Sequence, residues 1–84
     1  MKETMLPINP HELAVLERLF NDLNGMDDNQ SILYDRIVLH IELDTVMFLD
    51  NEEVETSIEV FEIIEDLNHE ENLIFTRLKE YTEL

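Results

Sequence analysis

Hydrophobic residues near the start of the chain recur every three or four positions. This spacing places five of them on one side of a helix: Leu13, Leu16, Leu19, Phe20 and Leu23. Asn9, Pro10 and Glu12 are typical of a helix start, because Asn caps, Pro suits the first turn and the Glu reaches back to the cap. Gly25 can adopt the left-handed conformation that ends a helix. The pattern predicts a first helix over residues 10–24.

The next hydrophobic segment fits two periods. As a helix, it places seven residues on one face: Tyr34, Ile37, Val38, Ile41, Thr45, Phe48 and Leu49. As a strand, residues 37–44 alternate and are rich in β-branched side chains. A run of this length without Gly or Pro is long for a strand and offers no hairpin turn. We therefore predict a second helix over residues 30–50.

The last third of the chain contains two further helical stripes. The first consists of Val54, Ile58, Phe61, Ile64 and Leu67, and the second of Ile74 or Leu73, with Leu78 and Tyr81. Asp50 caps the first of these helices, and Asn68 with Glu71 repeats the spacing of a capping box. This predicts helices over 52–67 and 69–83, although a heptad-like spacing also fits one continuous helix. The expected fold is all-α: a compact bundle of three or four helices in one domain, residues 1–84, with 1–8 as a short and flexible lead-in.

Composition agrees with a small folded domain. The chain has 84 residues, of which 44% are hydrophobic, and contains no Cys. It therefore has neither a disulfide framework nor a thiolate zinc site. Its N-terminus lacks the hydrophobic run of a signal peptide, and no hydrophobic stretch approaches the roughly 18 residues that span a bilayer. We expect a cytoplasmic protein with no membrane partner.

Net charge is the most unusual property of the sequence. There are 21 Asp and Glu against five Lys and Arg, giving a formal charge of −16. Such a charge repels nucleic acids and anionic membranes as direct ligands and favours a basic partner. Between Arg36 and Arg77 there is no Lys or Arg, while the interval contains twelve acidic residues.

Six of these carboxylates recur at helical spacing. They are Glu52, Glu55, Glu59, Glu62, Asp66 and Glu70. On one continuous helix this acidic row would extend about 27 Å, with a spacing comparable to that of nucleic-acid phosphates. Like charges at these spacings destabilise a helix by about 0.2–0.5 kcal/mol per pair, which suggests a use in binding. The alternative is a solvated face that only promotes solubility.

The second helix is hydrophobic on more than one side. Beside its main face, a second stripe consists of Leu39, Leu43, Val46 and Met47. A helix of this kind is either central in its own bundle or buried against another subunit. The stripe is therefore a candidate homodimer interface.

No pattern indicates catalysis, a metal or a cofactor. The pairs His40/Asp44 and Asp66/His69 do not match the ligand set of a di-iron bundle. There is no Gly-rich phosphate loop and no evident nucleophile, so we expect no enzyme activity.

Together these features suggest a small acidic regulator or inhibitor that docks on a basic, nucleic-acid-handling protein through the acidic row. It would act as a nucleic-acid mimic, as phage-type inhibitors do. The alternative function is a helical oligomerisation or structural subunit that uses the second stripe of helix two.

Overall fold

The computed structural model describes residues 5–83, which form four helices and one two-stranded antiparallel sheet. In chain order the elements are β1 (Leu6–Ile8), α1 (Pro10–Asn21), α2 (Asp28–Leu43), β2 (Met47–Leu49), α3 (Asn51–Ile63) and α4 (His69–Thr82). The predicted compact and mostly helical character is thus confirmed. The sheet was not predicted.

All four helices begin with a reciprocal capping box. In each box the capping side chain accepts from a backbone N–H three residues later, and the side chain there accepts from the N–H of the cap: Asn9/Glu12, Asp27/Gln30, Asp50/Glu53 and Asn68/Glu71. Two of the N–H groups that lack a partner at a helix start are satisfied in this way. These local signals explain why the predicted helix starts fall within two residues of the observed ones.

The predicted ends of α1 and α3 are wrong by three to four residues. α1 ends at Asn21, with Asp22 as a right-handed cap, and Gly25 has no positive φ. α3 ends at Ile63 because Ile64 is extended, with ψ 123°. The break between Ile64 and Asn68 separates α3 from α4, so the continuous helix does not form.

The predicted helix over 30–50 is wrong beyond Leu43. Asp44 adopts the left-handed conformation, with φ 56° and ψ 47°, and its N–H donates to the carbonyls of His40 and Ile41. The chain then turns into β2, where extended backbone suits Met47 and Phe48. A carboxylate residue thus ends the helix where no Gly or Pro signals an end.

β2 pairs with a strand inside the predicted lead-in. The register joins Leu6 to Leu49, Pro7 to Phe48 and Ile8 to Met47. Ile8, Met47 and Leu49 are fully buried, so the ribbon closes one side of the core. Residues 1–4 of the lead-in lie outside the described part of the chain.

The core is built from one face of every element. α1 packs mainly against α2, and α3 mainly against α4. The rings of Phe61 and Phe75 stack across the α3–α4 contact, with centroids 5.1 Å apart. The predicted stripes supply much of this core, with Leu13, Leu16, Leu19, Phe20, Val54, Phe61, Ile74, Leu78 and Tyr81 all buried. Leu73, the alternative to Ile74, is exposed.

Candidate partner-binding surface

Two of the arginines neutralise carboxylates at helix starts. Arg36 on α2 donates to Glu53, whose other oxygen completes the capping box of α3. Arg77 on α4 donates to Glu12, whose other oxygen completes the capping box of α1. Both glutamate side chains are only 15% exposed. Each arginine therefore joins the start of one helix to the side of another.

The other two basic residues that the structure describes also make contacts within the chain. Arg18 lies 3.7 Å from Glu70, and His11 Nε2 lies 2.6 Å from the second oxygen of the same carboxylate. The Lys79 ammonium sits 4.2 Å from the centroid of the Phe75 ring. Among residues 5–83, every Lys and Arg side chain is thus engaged within the fold. Arg77 contacts α1, and Lys79, in the last turn of α4, contacts Phe75.

The acidic row is divided by the break after α3. Glu52, Glu55, Glu59 and Glu62 lie along one exposed side of α3, over about 15 Å. Asp66 is exposed in the following turn, and Glu70 lies in the first turn of α4, where it contacts His11 and Arg18. The first four residues therefore form what we call the α3 acidic face. The predicted continuous row of six on one helix is wrong.

The α3 acidic face makes no ion pair with a basic side chain among the residues described. None of its four carboxylates takes part in an ion pair between Met5 and Glu83. Glu52 is favourably placed in the first turn, near the positive end of the helix dipole, but Glu62 lies at the negative end, and the last turn contains no basic residue. An acidic side chain at that end destabilises a helix by about 0.3–1 kcal/mol, so the local charge pattern works against folding.

The residues of the predicted dimer interface fall into two environments. Leu39, Leu43 and Val46 are 51%, 60% and 44% exposed, whereas Met47 is fully buried in β2. Two further exposed hydrophobic residues, Ile32 and Phe48, lie outside the predicted stripe. Ile32 could have been found from its spacing, since Leu39 and Leu43 follow it by seven and eleven residues on the same side of α2.

A cleft of about 190 Å³ opens between the starts of α2 and α3. Asn29, Ile32 and Leu33 line it on the α2 side, and Asp50, Glu52 and Glu53 line it on the other side. Ile32 and Leu33 contribute hydrophobic surface on the α2 side, and the opposite side carries carboxylates. This arrangement suits a cationic side chain with an aliphatic stem, such as Arg or Lys.

Other polar side chains make local contacts within the fold. Ser57 is buried, and its hydroxyl donates to the Glu53 carbonyl within α3. His40 Nδ1 lies 3.0 Å from the Thr45 hydroxyl at the end of α2. Residues 5–83 contain no group of three or more His, Asp or Glu arranged to hold a metal ion. None of the described helices has the length and hydrophobicity needed to cross a bilayer.

These features define a surface with two parts, the α3 acidic face and the exposed hydrophobic side of α2. The cleft lies where the two helix starts meet. No protein-family model, no characterised protein and no solved structure matches this chain.

Proposed function

We propose that this protein is a non-catalytic cytoplasmic regulator or inhibitor that docks on a basic, nucleic-acid-handling protein through its α3 acidic face. The supporting observation is how the positive charge is distributed. Each of the four basic side chains among residues 5–83 is engaged within the fold, while Glu52, Glu55, Glu59 and Glu62 have no basic partner there. The negative potential of this face is therefore left to attract a partner.

Two physical effects favour such docking. Carboxylates spaced along one helix present a row of charge similar in scale to a phosphate backbone, so a groove that binds nucleic acid would also accept this face. A net charge of −16 raises the rate of encounter with a basic surface, and screening by salt lowers it. The carboxylates of the α3 acidic face repel one another, and a basic partner that neutralises them relieves this repulsion, which adds to the attraction.

The test is charge reversal with a matched control. The variant Glu55→Lys/Glu59→Lys/Glu62→Lys removes the face, and its exposed positions tolerate Lys because Lys is a good helix former. The control Asp22→Lys/Glu80→Lys/Glu83→Lys has the same net charge, and its exposed substitutions lie at or near helix C-termini, where Lys is favourable.

The immobilised proteins are exposed to cell lysate, and bound proteins are eluted with duplex DNA. We expect a DNA-eluted protein on the wild type and on the control, and none on the α3 variant. Equal retention on both variants would contradict the proposal, since only net charge would then matter.

A second function, as a helical oligomerisation subunit, is favoured by the exposure of Leu39, Leu43 and Val46. It predicts a dimer that persists at high salt, and Leu43→Glu should convert this dimer to a monomer. Sedimentation equilibrium of the wild type at low and high salt distinguishes the two functions.

A further inference from the structure

The exposed side of α2 carries an apolar row that its own fold does not cover. Ile32, Leu39 and Leu43 are 62%, 51% and 60% exposed. Because they are separated by seven and four residues, they lie on one side of the helix over about 16 Å. The row lies roughly 120° around the helix from the buried Leu33 and Ile37, so it faces solvent rather than the core.

Carboxylates border this row. Asp35 precedes Leu39 by four residues, and Glu42 adjoins Leu43, both on the exposed side of α2. At the start of the helix, Asp50 and Glu52 face Ile32 across the cleft. The only Lys or Arg on α2 is Arg36, which is already paired with Glu53. The row is therefore hydrophobic at its centre and negative at its border.

The charge of the border decides between two occupants. A second copy of this chain would bring another −16 against the same carboxylates, and like charges across an interface are strongly unfavourable. A basic amphipathic helix complements this charge, with apolar side chains on the row and Lys or Arg on the border.

We infer that the α2 apolar row, with the cleft at its N-terminal end, is a docking site for an amphipathic helix of a basic partner protein. The inference rests on the proposed function for the basic character of that partner, and it adds a second contact to the α3 acidic face. An Arg or Lys of the partner helix enters the cleft, its stem against Ile32 and its charge near Glu52. Apolar residues farther along the partner helix cover Leu39 and Leu43.

The experiment uses two probes of equal charge and the full-length protein. One is a fluorescent peptide of about two heptads, built from Leu and Lys in a helical amphipathic pattern. The other is an oligolysine, which offers charge without an apolar face. Binding is measured by fluorescence anisotropy, and circular dichroism checks that each variant folds. The test variant is Leu39→Gln/Leu43→Gln, and the matched control is Ile63→Gln/Leu73→Gln, two hydrophobic residues of similar exposure on other helices.

We expect the test variant to bind the amphipathic peptide about tenfold more weakly and oligolysine as the wild type does. The control should match the wild type with both probes. Equal affinity of the two variants for the amphipathic peptide would overturn the inference. So would a wild-type dimer in sedimentation that the test variant converts to a monomer, because a second copy would then cover the row.

A second pair of variants keeps the test independent of the leucines. Asp35→Asn/Glu42→Gln removes the border charge but leaves the row, and should weaken peptide binding severalfold with a smaller dependence on salt. Unchanged peptide affinity of this variant would show that Asp35 and Glu42 do not contribute to docking. The Glu55→Lys/Glu59→Lys/Glu62→Lys variant separates the two proposals: if only that variant loses DNA-eluted partners, the α3 acidic face acts alone and the inference fails. If only the leucine variant loses peptide and partner binding, the α2 row stands and the proposed function fails.

Discussion

Replacing Arg77 with methionine tests whether the capping carboxylate of α1 depends on its partner from α4. Arg77 donates to Glu12, and its second nitrogen lies 3.1 Å from the Pro7 carbonyl, so one side chain joins α4, α1 and β1. The substitution keeps most of the aliphatic stem and removes the charge and both hydrogen bonds. It therefore isolates the polar contribution of the side chain.

The expected loss in the free energy of unfolding depends on how exposed the Arg77 and Glu12 side chains are. Fully exposed ion pairs contribute about 0–1 kcal/mol, whereas hydrogen bonds to charged groups contribute about 1.5–3 kcal/mol. The Glu12 side chain is 15% exposed and that of Arg77 is 40% exposed, which places this pair between the two cases. With the loss of the Pro7 contact, we expect Arg77→Met to lower the free energy of unfolding by about 1.5–3 kcal/mol. Against a total of about 5–15 kcal/mol, this is easily measured.

Urea denaturation followed by circular dichroism gives the measurement. Arg18→Met is the matched control, because Arg18 lies 3.7 Å from Glu70 and both side chains are well exposed. Its cost should stay below about 0.5 kcal/mol. Glu12→Gln leaves an oxygen to accept from the Asn9 N–H, so a double-mutant cycle with Arg77→Met should give a coupling of about 1–2 kcal/mol. A coupling near zero, or equal costs for the two arginine variants, would refute the reasoning.

Three further predictions concern folding. Asp44→Asn should raise the free energy of unfolding, measured by urea titration, by about 0.3–1 kcal/mol. Asn tolerates the left-handed conformation and removes a negative charge from the C-terminal end of α2. Asp44→Ala should instead lower the free energy of unfolding by about 1 kcal/mol. Ile8→Ala should cost about 2–4 kcal/mol in the same assay, since Ile8 is fully buried; a cost below 1 kcal/mol would mean that the ribbon is dispensable. Raising NaCl from about 20 to 500 mM should increase the Tm by about 5 °C by screening the −16 charge; a fall in Tm would show that the arginine pairs dominate.

The helix starts were predictable from sequence because a capping box is complete within four residues. Asn9 and Glu12, or Asn68 and Glu71, need no distant partner to satisfy their N–H groups. The end of α2 was not predictable in this way. Asp44 adopts its left-handed conformation without glycine, and β2 forms because Leu49 meets Leu6, some forty residues earlier in the chain. Tertiary pairing overrides the local pattern there.

The sequence predicted that the candidate surface is negatively charged, but not how its residues are arranged in space. The gap without Lys or Arg directed attention to α3, and four of its six predicted carboxylates do lie on one exposed side. The break after Ile63 and the contacts of Glu70 with His11 and Arg18 depend on how α4 packs beside α1. The same holds for Met47, which spacing grouped with Leu39, Leu43 and Val46 as a candidate interface and which β2 places in the core.

The contacts of Arg77 with Pro7 and Glu12 bring the last helix beside the beginning of the chain. Elements far apart in the sequence are thus held together on one side of the fold, whereas residues 23–26, in the turn between α1 and α2, make no hydrogen bond or ion pair with distant elements of the described chain. The stretch from Leu23 to Met26 has no regular secondary structure, and a side chain added at Gly25 would meet no atom within 4 Å. A few flexible residues inserted at Gly25 should thus leave the core and the pairing of α1 with α2 intact.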